Sequence, residues 1–255
     1  MPALSPFRTE RLAALREEVR AIESAGASGA RPGLPFGVEP MDERLAGGGL
    51  ATAALHEITG AGAGLGDDAA ATLFLAGIAA RLAADPNKGP VLWALSRRDL
   101  FAPGLAQAGL GPDALLYAEC RRDEEVLAVM EEGLRHGGLA AVVGEVGRVG
   151  MASTRRLQLA AEEGGTTALM LKSWRRGGED PLAQPSAAVT RWRIGCAPSA
   201  PLPVAGIGRP RWAVELARQR GGEPFTLILE ACDATGCLAL PAQSADRPDQ
   251  AARAA

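Results

Sequence analysis

Aromatic residues make up only 4% of this 255-residue chain, while apolar residues together reach 47%. That is enough for a sizeable core, and the richness in Ala and Gly points to close packing of helices on a sheet. Histidine occurs twice, and the four cysteines (Cys120, Cys196, Cys232, Cys237) show no CxxC spacing. Those shortages argue against a zinc site, so no metal is expected and the cysteines read as reduced thiols of a cytoplasmic protein. No stretch reaches the roughly 18 apolar residues of a membrane span, and Arg81 interrupts the best candidate. The first residues carry Arg8, Glu10 and Arg11 without an apolar segment, which is unlike a secretory leader.

The net charge of −3 is small, but it is unevenly spread. From Lys172 to Arg220 nine basic residues (Lys172, Arg175, Arg176, Arg191, Arg193, Arg209, Arg211, Arg218, Arg220) stand against Glu179, Asp180 and Glu215, a local surplus of six. Such a surplus suits an anionic partner, either nucleic acid or an acidic protein surface; a solvated strand-and-loop face accounts for it as well.

Ser5-Pro6 can cap a helix running to about Ser24, with Leu12, Leu15, Val19 and Ile22 on one face. A Gly/Ala/Ser linker follows, closing an N-terminal unit at residue 33. Met41 to Leu45 reads as a short helix. Apolar strands then alternate with helices: strand Leu55–Thr59, helix Asp67–Ala84, strand Val91–Ser96, helix Phe101–Ala108 and strand Leu115–Ala118. Helix Asp123–His136, strand Leu139–Val143, helix Ser153–Glu163 and strand Thr167–Leu171 complete the run. This alternation predicts an α/β fold, a mainly parallel sheet with helices on both faces. After Lys172 the pattern changes to alternating segments, Ala188–Ile194, Arg211–Leu216 and Phe225–Glu230, which predict antiparallel strands extending the sheet. Alternation should turn Trp192 and Trp212 into the core and the neighbouring arginines outward. The organisation expected is an N-terminal helix and linker (1–33), a core (34–197), a basic strand extension (198–241) and a disordered tail (242–255).

The most informative stretch is His56-Glu-Ile-Thr-Gly-Ala-Gly-Ala-Gly-Leu-Gly-Asp-Asp68, an apolar strand running into a glycine loop that opens a helix. Strand, loop and helix in that order form a phosphate-binding P-loop, in which backbone N–H groups and a helix N-terminus hold phosphate. The loop glycines are Gly60, Gly62, Gly64 and Gly66, but, aligned on Gly66, the motif's first glycine falls on Ala61, its lysine on Asp67 and its magnesium-binding hydroxyl on Asp68. Two like charges about 4 Å apart repel by roughly 4 kcal/mol at an effective dielectric near 20. The residues also serve a plainer end, because carboxylates in a first turn complement the helix dipole.

Taken in order, residues 34–197 resemble a RecA-type recombinase core. The resemblance is carried by Met41-Asp42, Gly47-Gly48-Gly49-Leu50, His56-Glu57-Ile58, the segment Leu100–Leu110, the segment Glu124–Val143, Leu169-Met170-Leu171-Lys172-Ser173 and Trp192-Arg193-Ile194. On that alignment the Walker B aspartate falls on Gly144, with Glu145 one residue on, and the water-activating glutamate on Ser96 or Arg97. The sensor glutamine falls on Ser173. Hydrolysis needs a positioned water and a bound metal together, so no ATPase activity and no cofactor are expected. With the added run Pro210–Gly222 (Pro-Arg-Trp-Ala-Val-Glu-Leu-Ala-Arg-Gln-Arg-Gly-Gly), the chain resembles the ImuA family. The resemblance implies a damage-inducible (SOS) accessory factor of error-prone translesion synthesis. Such a factor works with an inactive Y-family polymerase homologue, an error-prone replicative-type polymerase and the RecA recombinase, touching DNA weakly or indirectly. The residues expected to meet partners are Leu12, Leu15, Val19, Ile22, Arg191, Arg193, Arg209, Arg211, Arg218 and Arg220. Two other classes fit parts of the pattern: a SulA-type division inhibitor, and a nucleotide-dependent DNA-binding protein using Glu145.

If the N-terminal stripe docks on another molecule, Leu15→Asp with Val19→Asp should weaken association and leave the core's thermal midpoint nearly unchanged. A large fall in the midpoint would place the helix on its own core.

Overall fold

A computed structural model describes Arg11, residues 33–174 and 179–200, Gly206 and residues 208–241. The stripe Leu12, Leu15, Val19 and Ile22 and the expected tail lie outside the described residues. Eight strands form one sheet: β1 (Leu55–Gly60), β2 (Val91–Leu95), β3 (Leu115–Glu119), β4 (Ala141–Val146), β5 (Thr167–Lys172), β6 (Thr190–Ala197), β7 (Arg211–Gln219) and β8 (Phe225–Glu230). The helices are α1 (Glu39–Asp42), α2 (Leu65–Ala83), α3 (Ala102–Gln107), α4 (Asp123–His136) and α5 (Met151–Gly164). The strand order is β3-β2-β4-β5-β1-β6-β7-β8. All pairings from β3 to β6 are parallel, and β7 is antiparallel to both β6 and β8. The expected α/β class and the antiparallel extension are both present.

The end residues of the helices explain where they stop. Helix α4 has Asp123, Glu124 and Glu125 in its first turn and Arg135 and His136 in its last, each sign matching the dipole; Gly137 then closes it at φ 73°. One face of the sheet packs Ile58, Trp93, Val143, Leu169 and Trp192 against α2, and the other packs Leu55, Val142, Ala168 and Met170 against α4 and α5. The short helix lies at Glu39–Asp42 rather than at Met41–Leu45, because Asp42 turns back to accept the N–H groups of Phe36 and Gly37 at 2.7 and 2.9 Å. Strand β4 also runs later than expected, through Gly144 and Glu145 to Val146. Apolar content marks Leu139 and Ala140, but hydrogen bonding to β5 begins only at Ala141.

β7 and β8 are more than an appendage. Trp212, Val214, Leu216 and Leu229 join the same core as α2, and five aromatic residues link the parts. Phe36 stacks on Phe74 at 6.0 Å between ring centroids, Trp192 lies 5.6 Å from Phe74 and 6.1 Å from Phe225, and Trp212 lies 6.4 Å from Phe74. Contacts of this kind contribute about 0.5–1.5 kcal/mol each beyond the area they bury. Both tryptophans are buried in the core, as alternation indicated.

His56 occupies the centre of β1 and is fully buried. Its Nε2 lies 2.8 Å from Ala51 O, which can only accept, so Nε2 carries the proton. Nδ1 then accepts from the Thr190 hydroxyl at 2.7 Å, and Thr190 Oγ1 accepts from Trp192 Nε1 at 2.6 Å. Burial, which disfavours the charged ring, lowers the His56 pKa to about 4, while the Ala51 carbonyl opposes the shift. The unfolded imidazole titrates near 6.5, so between pH 6.5 and 4 the unfolded state binds the extra proton and stability falls as pH falls. The full effect is roughly 3 kcal/mol. Thermal unfolding followed from pH 7 to 5 should show a falling midpoint that flattens in His56→Gln; equal slopes in the two proteins would remove His56 as the cause.

Candidate functional site

The carboxyl ends of parallel strands are where open α/β sheets carry ligands, and the glycine loop stands at that end of β1. Three hydrogen bonds hold it. Ala61 N–H donates to Ile194 O at 2.8 Å, and Trp174 Nε1 donates to Gly60 O at 2.8 Å. The third comes from Asp67, whose Oδ1 accepts the N–H of Cys196 at 2.8 Å. The other Asp67 oxygen lies 3.3 Å from where a Cβ on Gly62 would stand, and a Cβ on Gly60 would meet Asp68 Oδ1 at 3.1 Å. The glycines thus admit the chain's own carboxylates. Gly64 caps the helix with extended backbone, and Gly66 lies in its first turn against the Cys196 sulfur.

A phosphate in this cradle would meet Asp67 and Asp68 with no lysine opposite them. Burial raises the Asp68 pKa, with the Arg97 charge opposing and Asp67 reinforcing. Glu145 responds in the same way: burial raises its pKa, while the Trp93 indole N–H, donated to Oε1 at 2.8 Å, and the charge of Arg97 oppose. The arrangement does not fit a magnesium–triphosphate complex.

Gly144 sits within β4, next to Glu145. It faces α4 on the far side of the sheet, where an added Cβ would stand 2.2 Å from the Met130 sulfur. Strand alternation turns Glu145 toward α2, the side of the glycine loop.

Arg191 departs from its expected place. It is 7% exposed rather than part of an outward charged face. Its Nε donates to Glu57 Oε2 at 2.7 Å, and Lys172 Nζ lies 3.7 Å from Glu57 Oε1. Ser186 Oγ donates to the same Oε1 at 2.7 Å, and Arg191 also donates to Gln184 O at 2.9 Å. One buried carboxylate therefore ties β1, β5, β6 and the segment before β6 together. Burial lowers the Lys172 pKa, and Glu57 opposes that shift. Lys172 also lines a crevice with Gly147, Arg148, Ser173, Asp180 and Gln184.

The remaining arginines divide. Arg193 pairs with Asp180 and with Glu215, the latter at 2.9 Å, and is half-buried. Arg209 pairs with Glu230 at 3.0 Å. Arg211, Arg218 and Arg220 lie outside these pairs; Arg218 and Arg220 are exposed, Arg211 is partly so, and Arg218 donates to Ser186 O at 3.3 Å. Sequence reasoning missed Trp174, Trp93 and the Glu57 cluster. A charged residue inside a strand as apolar as β1 was the available signal for the last.

No protein-family model matches the chain. Protein ImuA of Caulobacter vibrioides (strain NA1000 / CB15N) is 40% identical over 215 residues, covering 82% of this chain and 88% of that protein. The chain belongs to the ImuA family. The Caulobacter vibrioides protein of the same name from strain ATCC 19089 / CIP 103742 / CB 15 matches to the same extent. Among solved structures, SulA from Pseudomonas aeruginosa superposes with a TM-score of 0.41 at 22% identity, over 47% of this chain and 98% of that one. No helix among the described residues of this ImuA homologue is long and apolar enough to cross a membrane.

The loop geometry gives a direct expectation for nucleotide. Calorimetry with magnesium-ATP should detect no site with a Kd of about 10 µM or tighter, equivalent to roughly −7 kcal/mol. Asp67→Lys with Asp68→Thr should not create hydrolysis, since neither Ser96 nor Arg97 can activate water.

Proposed function

We propose that this ImuA-family chain is a non-enzymatic accessory protein of damage-induced, error-prone translesion synthesis. It acts in the cytoplasm as an adaptor for an inactive Y-family polymerase homologue and, through it, for an error-prone replicative-type polymerase. The recombinase filament is a further partner in this reading. The observation that carries it is the residue that follows the glycine loop: where a P-loop has its lysine, this RecA-like scaffold has Asp67, a carboxylate bonded to Cys196 N–H. Family membership supports the pathway, and a scaffold without nucleotide chemistry leaves surface recognition as its means of action.

The face assigned to the polymerase homologue is the outer part of β7, where Arg211, Arg218 and Arg220 are accessible. Arg191 is excluded from it by burial, and Arg193 and Arg209 serve mainly to hold the strands through their carboxylate partners. Contact with DNA is weak in this reading and falls steeply with salt, as phosphate contacts alone require.

The test uses the full chain and the purified polymerase homologue of the same organism. Replacing Arg211, Arg218 and Arg220 together by Glu should weaken binding at least tenfold, about 1.4 kcal/mol, with the thermal midpoint little changed. Unaltered affinity would move the partner to another face, and an absolute requirement for ATP would end the adaptor reading.

A further inference from the structure

β3 is the last strand on its side of the sheet and pairs only with β2. Cys120 donates its N–H to Leu95 O, so the even-numbered residues here turn their main chain toward β2. Leu115, Tyr117 and Glu119 consequently turn their N–H and C=O groups outward, and among the described residues no main chain meets Tyr117 or Glu119 there. The side chains are equally uncovered. Leu116, in register with Leu92, is 50% exposed on one face, and Tyr117, in register with Trp93, is 49% exposed on the other. Natural sheets blunt such an edge with proline, lysine or a bulge. Leu115–Glu119 has none of these.

We propose that this edge pairs antiparallel with β3 of a second copy of the chain, giving a two-fold dimer with one continuous sheet. The register that uses the outward groups is centred on Tyr117. It places Tyr117 beside its counterpart, Leu115 opposite Glu119 of the other copy, and Leu116 opposite Ala118 on the reverse face. Three opposed pairs with outward main chain exchange about six hydrogen bonds, since each closely spaced pair shares two. The arrangement opposes no like charges, and Glu119 already has a cation of its own in Arg98. Two tyrosines side by side on one face, and Leu with Ala on the other, are the cross-strand contacts that stabilise a sheet. An isologous contact of this kind closes on itself and leaves β7, at the other side of the sheet, free. Because only five residues pair on each side, the buried area falls below the roughly 1,000 Å² of a strong interface, and the dimer is concentration-dependent.

Sedimentation of the full chain tests this directly. The mass should rise from 26.3 kDa at about 5 µM toward twice that value at about 500 µM. Leu116→Lys with Tyr117→Lys should remain monomeric throughout, with Tyr117→Phe dimerising like the parent. Amide exchange on the parent supplies a readout independent of any variant: the N–H groups of Tyr117 and Glu119 should exchange at least tenfold more slowly at the higher concentration. A chain that stays monomeric at about 500 µM, a dimer that the lysine pair leaves intact, or unchanged exchange at Tyr117 and Glu119 would each overturn the proposal.

Discussion

A strand buried on both faces must satisfy any polar side chain it carries, and β1 carries two in succession. His56 points to one face and Glu57 to the other, and neither is exposed. Leaving either without partners would cost several kcal/mol, so the surrounding chain is arranged to meet them. Ala51 O, Thr190 and Trp192 serve His56. Lys172, Ser186 and Arg191 serve Glu57. β6 must run beside β1 in the register that brings Thr190 against His56 and Arg191 against Glu57, and that register fixes where the end of β6 falls.

The end of β6 is what closes the glycine loop. Ile194 and Cys196, set by the same pairing, supply the carbonyl that takes Ala61 N–H and the N–H that Asp67 accepts. The two polar residues in β1 and the sealed loop beyond it are thus one construction. In a phosphate-binding loop the backbone donors are kept for a ligand. Here the helix N-terminus is complemented by aspartates, and one of them, Asp67, accepts the Cys196 N–H of β6.

Much of this was legible in the sequence. Apolar runs separated by helical segments defined the parallel sheet. Strand alternation put Trp192 and Trp212 inside. The same rule failed for Arg191 because it assumes that the second face of a strand meets solvent, whereas residues 184–188 and Glu57 cover that face at the start of β6. The openness of β3 was hidden because Leu116 and Tyr117 look like core residues in a linear reading, and only strand order reveals that nothing stands beyond them.

The scarcity of aromatic rings has a structural counterpart. Half of the ten in the chain gather where α2, β6, β7 and β8 meet the segment before β1. Phe74 lies on the helix that begins at the glycine loop, and it touches both Trp192 and Trp212. Any displacement of α2 toward a ligand would have to move Phe74 against Trp192 of β6, Trp212 of β7 and Phe36 of the segment before β1. Packed interiors respond to such shifts by switching between discrete arrangements rather than yielding gradually, and the alternation of large rings here provides no second seat for Phe74. The helix that opens at the glycine loop is thereby anchored, through its own core residue, to the antiparallel strands.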